Sequence, residues 1–182
     1  VPLGFAAVPA AVTAADRHPF TVHVLVALQR ISDPQVSPDG RKVVFVLRTT
    51  DLEANKGRFD LWVTDIDGTG LRQLTFSPEA ESNPRWTPDG KSILFLRGGQ
   101  VHLLPLDGGE ARKITDLPLE IESFAVSPDG TKLLAGISVL PGCASAKGGA
   151  IACTKAQLDA REKTKASGKL YTQLFVRHWD EW

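Results

Sequence analysis

Three copies of a Ser/Thr-Pro-Asp-Gly motif constrain the fold of this chain more than any other feature. They occupy residues 37–40, 87–90 and 127–130, and each is followed closely by an apolar run. Proline presets the first turn position, aspartate makes local hydrogen bonds, and glycine accepts left-handed backbone geometry. A second pair of repeats keeps the same phase: Asp67-Gly68 precedes residues 72–75, and Asp107-Gly108 precedes residues 112–115. Such spacing is typical of architectures that build one small sheet per repeat.

The predicted fold class is therefore all-β: a partial β-propeller of four-stranded antiparallel blades. The first blade is predicted at about residues 31–75, with a polar loop over 49–58, and the second at 76–115. Gly98-Gly99 is predicted to form a two-residue hairpin. The strands expected in these two blades are 33–37, 43–48, 59–66 and 71–75, then 84–87, 92–97, 101–106 and 111–115.

The third repeat, about residues 116–182, departs from this plan. Strands are predicted at 123–127 and 132–138, and an insertion at 140–168 contains a surface helix over 156–163. Strand character resumes at 170–179. A short helix with Thr21 as its N-cap is also expected before the first blade; a strand is the alternative. Since a propeller needs at least about four blades, residues 16–182 are expected to be an incomplete, N-terminal part of one.

The N-terminal segment and the two cysteines bear on localisation. The chain contains no methionine, and residues 1–15 are small, apolar and uncharged. We interpret them as the latter part of a secretory signal, with an Ala/Pro-rich leader as the alternative. Cys143 and Cys153 lie ten positions apart, and in an exported protein they predict one disulfide, with two free thiols as the alternative. The expected location is periplasmic or secreted. No apolar run reaches the roughly 18 residues of a membrane-spanning helix.

The sequence contains few motifs that indicate catalysis or ligand binding. The formal net charge is zero, which gives no support for nucleic-acid binding. We find no Gly-x-Ser-x-Gly, phosphate-loop or His-Glu-x-x-His motif, so no catalytic residue, metal ligand or cofactor is predicted. The densest polar cluster includes Trp179, Asp180 and Glu181. It could bind a cation such as a peptide α-amine; the alternative is an ordinary strand end.

Residues 31–40, with Asp60-Leu61-Trp62 and Gln73-Leu74-Thr75, resemble the N-terminal propeller of prolyl oligopeptidase-family serine peptidases. The likeness covers about residues 19–182 and is greatest to the bacterial dipeptidyl-peptidase and acylaminoacyl-peptidase branch. The Ser-Pro-Asp-Gly turns also occur in Tol-system propellers, whereas the Cys143–Cys153 insertion followed by residues 174–180 is more specific to the peptidases.

The resemblance implies a C-terminal α/β-hydrolase domain of the same protein that carries Ser, Asp and His and that is absent from this chain. It also implies a propeller that admits short peptides and helps to hold their free amino termini, for which Asp180 or Glu181 is the candidate. The leading hypothesis is thus the gating part of an exported serine exopeptidase. The alternatives are a non-enzymatic Tol-type protein-binding propeller and a truncated product without activity. A homo-oligomer stays open.

Overall fold

The computed structural model describes residues 19–164 and 168, which divide into two compact units between Pro84 and Arg85. Helix α1 (Val22–Ala27) precedes the first sheet, and the hydroxyl of its N-cap, Thr21, accepts a hydrogen bond from Val24 N at 3.4 Å. The predicted cap is therefore present, although the helix is short.

The first sheet contains four antiparallel strands in chain order. The second and third strands pair along their whole length, and Phe45 lies opposite Trp62. All four residues from Val44 to Leu47 are buried, as expected for a strand covered on both faces. The strands are β1 (Arg30–Val36), β2 (Lys42–Asp51), β3 (Lys56–Asp65) and β4 (Arg72–Gln73).

The second sheet repeats this order with shorter strands. Gly98 and Gly99 form the predicted two-residue hairpin, with φ values of 55° and 67°. Positive φ at both positions is the geometry of the type I′ turn. The strands are β5 (Glu81–Trp86), β6 (Ser92–Arg97), β7 (Gln100–Pro105) and β8 (Arg112–Lys113). The prediction of four-stranded antiparallel sheets is confirmed for both repeats.

The third sheet has two strands within the described residues, β9 (Ser123–Val126) and β10 (Leu133–Gly136). One face packs on the second sheet: Phe124 and Ile121 join Leu94, Leu96 and Val101 in one buried cluster. The chain then enters a short 3-10 helix (Pro141–Cys143) and helix α2 (Ala150–Lys163). The predicted helix is thus present but begins six residues earlier.

The three Pro-Asp-Gly turns share one hydrogen-bond pattern. In the first, Ser37 Oγ donates to Asp39 Oδ1 at 2.6 Å and accepts from Lys42 N at 2.9 Å. Asp39 Oδ1 also accepts from Arg41 N at 3.1 Å. The same bonds recur at residues 87–92 and 127–132. The aspartate and hydroxyl side chains, together with glycine at positive φ, therefore build the turn that the motif predicts.

Two local predictions were wrong, and one feature was not predicted. Residues 49–58 are mostly paired strand, because Asp51 binds Arg58 (Nη2 to Oδ2, 2.8 Å) across a tight tip. The outermost strands are two residues long rather than five. A bulge that we did not predict interrupts β1 between Ser32 and Gln35, where Asp33 has φ 47°.

Candidate functional site

The best candidate location for a functional site is the end of the second unit at which helix α2 lies. The turn at residues 127–130 joins β9 to β10 at one end of the third sheet, so the chain leaves β10 at the other end. The connection 116–122 lies at this same end, where Ile121 N donates to Gly99 O at 2.8 Å and Glu122 N to Gly136 O at 2.9 Å. Insertions into repeat proteins collect on one face, which is often the binding face.

Gln100 holds the connection 116–122 in place. Its Oε1 accepts from Thr115 Oγ1 at 2.8 Å and from Leu117 N at 3.0 Å. Its Nε2 donates to Leu117 O at 3.1 Å and to Leu119 O at 3.4 Å. Because Gln100 is only 8% exposed, these bonds form largely away from competing water. One buried amide thus holds the backbone of the connection at Leu117 and Leu119.

A disulfide and one hydroxyl hold helix α2 to the chain that follows β10. Cys143 and Cys153 are bonded, as the sequence predicted, with their Cα atoms 5.6 Å apart. Thr154 Oγ1 accepts from Leu140 N at 3.0 Å. The Gln157 amide donates to Cys143 Sγ at 3.2 Å. Cys143 is fully buried, and Thr154 is nearly so.

Between the connection and helix α2 lies an open cleft of about 360 Å³. Leu119 and Leu158 contribute apolar surface, and Lys155 pairs with Asp159 within the helix. Glu120 and Glu122 are exposed and form no ion pair among the described residues. The cleft therefore combines apolar walls with an excess of negative charge. Its lining residues are Pro118, Leu119, Glu120, Glu122, Ser138, Lys155, Leu158 and Asp159.

A second open cleft, of about 560 Å³, lies at the Pro-Asp-Gly end of the same unit. Its carboxylates, Asp89 and Asp129, are already engaged in the turns. The hydrogen bond from Ser127, followed by bonds from Thr131, lowers the pKa of Asp129 to about 2. The pKa of Asp89 is lowered by the equivalent bonds from Thr87 and Lys91 N. These acids serve the turns, so we consider the first cleft the better candidate.

The residues predicted from sequence are only partly tested. Trp179, Asp180 and Glu181 lie outside the described residues, and their role stays a prediction. His23 is exposed. His102 stacks on Phe95, with ring centroids 5.7 Å apart. The part of the chain that the structure describes holds no cluster of three potential metal ligands and no helix long and apolar enough to cross a membrane.

Sequence reasoning missed Gln100, Glu120 and Glu122. The one available signal was the equivalence of Gln100 to Asp60 of the first repeat: both directly precede the Leu-Trp or Val-His pair of the third strand. The recurrence of a polar residue at this position of the third strand was thus the signal that could have pointed to Gln100.

Comparisons with known proteins identify the fold. The chain is 32% identical over 179 residues to dipeptidyl-peptidase 5 of Porphyromonas gingivalis, which covers 96% of this chain and 24% of that protein. Acylaminoacyl peptidase of Pyrococcus horikoshii superposes on 61% of the chain and on 17% of its own chain, with a TM-score of 0.52 and 26% identity. The resemblance to the propeller of prolyl oligopeptidase-family peptidases is confirmed. This peptidase-type propeller chain spans about a fifth to a quarter of the length of the curated relatives that it matches.

The similarity to Tol-system propellers is more local. TolB of a Polaromonas species is 35% identical over 57 residues, 31% of this peptidase-type chain. No family model matches the chain.

Proposed function

We propose that this chain is the N-terminal propeller part of an exported serine exopeptidase of the dipeptidyl or acylaminoacyl type. In this proposal it gates and positions short peptides for a C-terminal α/β-hydrolase domain. The observation that carries the proposal is the match to dipeptidyl-peptidase 5 along 96% of the chain. Acyl transfer would take place in the hydrolase domain, through attack by an activated serine and stabilisation of the oxyanion by backbone amides.

The cleft beside helix α2 supports a positioning role. Its leucines offer apolar contact to a peptide side chain, and Glu120 and Glu122 offer charge-assisted hydrogen bonds to a cationic group. The disulfide supports export, because such bonds persist in oxidising compartments and are rare in the cytosol. A periplasmic or secreted location is part of the proposal.

The first experiment uses the full-length protein with its hydrolase domain. It is labelled with a fluorophosphonate probe and assayed on chromogenic dipeptides that have free or acetylated amino termini. Labelling together with hydrolysis would support the exopeptidase, and the preferred amino terminus would decide between the dipeptidyl and acylaminoacyl types. An unlabelled, inactive protein would contradict the proposal and favour the Tol-type binding propeller.

The contribution of the cleft is tested separately. We expect the double variant Glu120→Gln/Glu122→Gln to raise KM for free-amine peptides while leaving kcat nearly unchanged, because removed binding contacts act before chemistry. Glu110→Gln is the matched control, since Glu110 is equally exposed but follows the Gly108-Gly109 turn at the other end of the sheet. Equal KM values in all three proteins would remove the cleft from the proposal.

A further inference from the structure

Helix α2 is attached to the protein in an unusual way for a helix of its length. It has fourteen residues, and Thr154 is its only buried residue. A surface helix normally carries an apolar stripe that it buries against the core. Here the Lys155–Asp159 ion pair lies within the helix itself, and Leu158 is 41% exposed. Burial of apolar side chains therefore contributes little to its position.

Local sequence contributes little at the N-terminus either. The N-cap position is Gly149, at φ 93°, which provides no side-chain cap, and the first turn contains no acidic residue. A good N-cap is worth about 1 kcal/mol, and an isolated helix of this length is marginal in water. The last turn is more stable, because the positive charges of Arg161 and Lys163 lie near the negative end of the helix dipole. The N-terminal turn is thus the weak end.

The disulfide is located at this weak end. Cys153 lies in the first turn of α2 and is bonded to Cys143, which is fully buried in the 3-10 helix after β10. Thr154 adds the hydrogen bond from Leu140 N in the same region. We propose that the Cys143–Cys153 disulfide is the principal element positioning helix α2, so that the helix and the cleft that it walls are formed in the oxidised protein and lost on reduction.

Reduction of this bond is a two-electron step that requires a dithiol. A thiolate of the dithiol attacks Cys153 Sγ, the less buried sulfur, and the S–S bond breaks to release Cys143 as a thiolate, which takes up a proton. The second thiol of the reductant then displaces Cys153 as a thiol and closes a cyclic disulfide. Loss of the cross-link restores conformational freedom to residues 143–153.

The proposal is tested by hydrogen exchange on the full-length protein, oxidised and after treatment with dithiothreitol. We expect the amides of α2 to exchange on the order of a hundredfold faster after reduction, the effect of losing a cross-link that closes a loop of about ten residues. Amides of β6 and β7 should keep their protection, which shows that the propeller itself stays folded. The double variant Cys143→Ser/Cys153→Ser should exchange like the reduced protein and should not respond to dithiothreitol.

One further variant and the reduced wild-type protein keep the test decisive. Thr154→Val removes one hydrogen bond and leaves the disulfide, so we expect a clearly smaller increase in α2 exchange, of about tenfold or less. If the serine variant does not fold, the reduced wild-type protein still provides the measurement, because it folds before reduction. Unchanged α2 protection after complete reduction would overturn the proposal. None of these readouts depends on peptidase activity, so the result stands apart from the proposed function.

Discussion

The first and second sheets have the same strand order but differ in the hydrogen bonds of the threonine that follows the outer strand. In the first, Thr75 Oγ1 accepts from Leu61 N at 2.9 Å and donates to the carboxylate of Glu81. In the second, Thr115 Oγ1 accepts from Val101 N at 2.9 Å and donates to the amide oxygen of Gln100. The threonine and its backbone bond are shared, whereas the acceptor changes.

The equivalent positions show what the change involves. Gln100 corresponds to Asp60, and Glu81 corresponds to Ile121, counting from the shared motifs. The second repeat therefore places its buried polar acceptor on the third strand and an apolar residue after the outer strand. The first repeat places its buried acceptor, Glu81, after the outer strand and has a second acid, Asp60, on the third strand. The repeat preserves a satisfied hydroxyl, and it tolerates either location for the group that satisfies it.

The largest loss of stability is expected from removing Glu81, the buried residue at the start of β5 that accepts from the Thr75 hydroxyl. We expect Glu81→Ala to lower the free energy of unfolding by about 3 kcal/mol, because it leaves the Thr75 hydroxyl without this acceptor and opens a cavity. Glu81→Gln, which keeps an acceptor oxygen, should cost clearly less. Urea denaturation of the full-length protein measures both. Equal losses would mean that the charge of Glu81, rather than its acceptor role, stabilises the sheet.

A smaller loss of stability is expected at the Gly98-Gly99 hairpin of the second sheet. Gly99 has φ +67°, and an added Cβ would lie 3.0 Å from the backbone Cα of Glu120. We expect Gly99→Ala to cost about 2 kcal/mol, from left-handed strain together with displacement of the connection 116–122. Gly40→Ala is the control, since its φ is +72° but its Cβ would meet nothing within 4 Å; it should cost about 1 kcal/mol. Matching losses in denaturation experiments would show that the approach of Glu120 has no consequence.

Converting Asp60 to an amide makes the first sheet more like the second. Burial is the main cause that raises the pKa of Asp60 above its ordinary value of 3.8, against opposing effects of Arg58 and a hydrogen bond from Gln73. An acid with a raised folded-state pKa destabilises the fold when ionised. We therefore expect Asp60→Asn to stabilise the protein at neutral pH by a few tenths of a kcal/mol, a value kept small by solvent screening. This advantage should vanish as the pH falls through the raised pKa toward about 4. A pH-independent difference in unfolding free energy would contradict this cause.

The sequence predicted what depends on neighbouring residues and missed what depends on distant ones. The turns at 37–40, 87–90 and 127–130 follow from side chains two to five residues apart, and they formed as expected. The loop predicted over 49–58 was wrong because its polar residues pair across the hairpin. The outer strands were overestimated because the hydroxyls of Thr75 and Thr115 replace one backbone partner of the neighbouring strand.

The candidate site was less predictable than the fold. The disulfide was foreseen from the spacing of Cys143 and Cys153 in a chain interpreted as exported, and it is present. The position of the cleft depends on Gln100, whose bonds to Thr115 and Leu117 span fifteen and seventeen residues. No local pattern specifies such contacts. They arise only when the third strand and the next connection are already packed.

The smallest effect is expected at the turns, the part that all three sheets share. The hydrogen bond from Ser127 and those from Thr131 lower the pKa of Asp129 from 3.8 to about 2. A depressed folded-state pKa contributes stability above the unfolded-state value, and this contribution is lost as the pH falls from about 4 to about 2. We expect Asp129→Asn to lack this part of the acid dependence, measured as denaturation midpoints at several pH values in this range. Asp39→Asn and Asp89→Asn should behave alike, because the pKa of each of these carboxyls is lowered by the same kinds of bond. If only one of the three variants differed from the wild type in acid stability, the turns would share their geometry but not their contribution to stability. The difference between the sheets would then include the turns that they have in common.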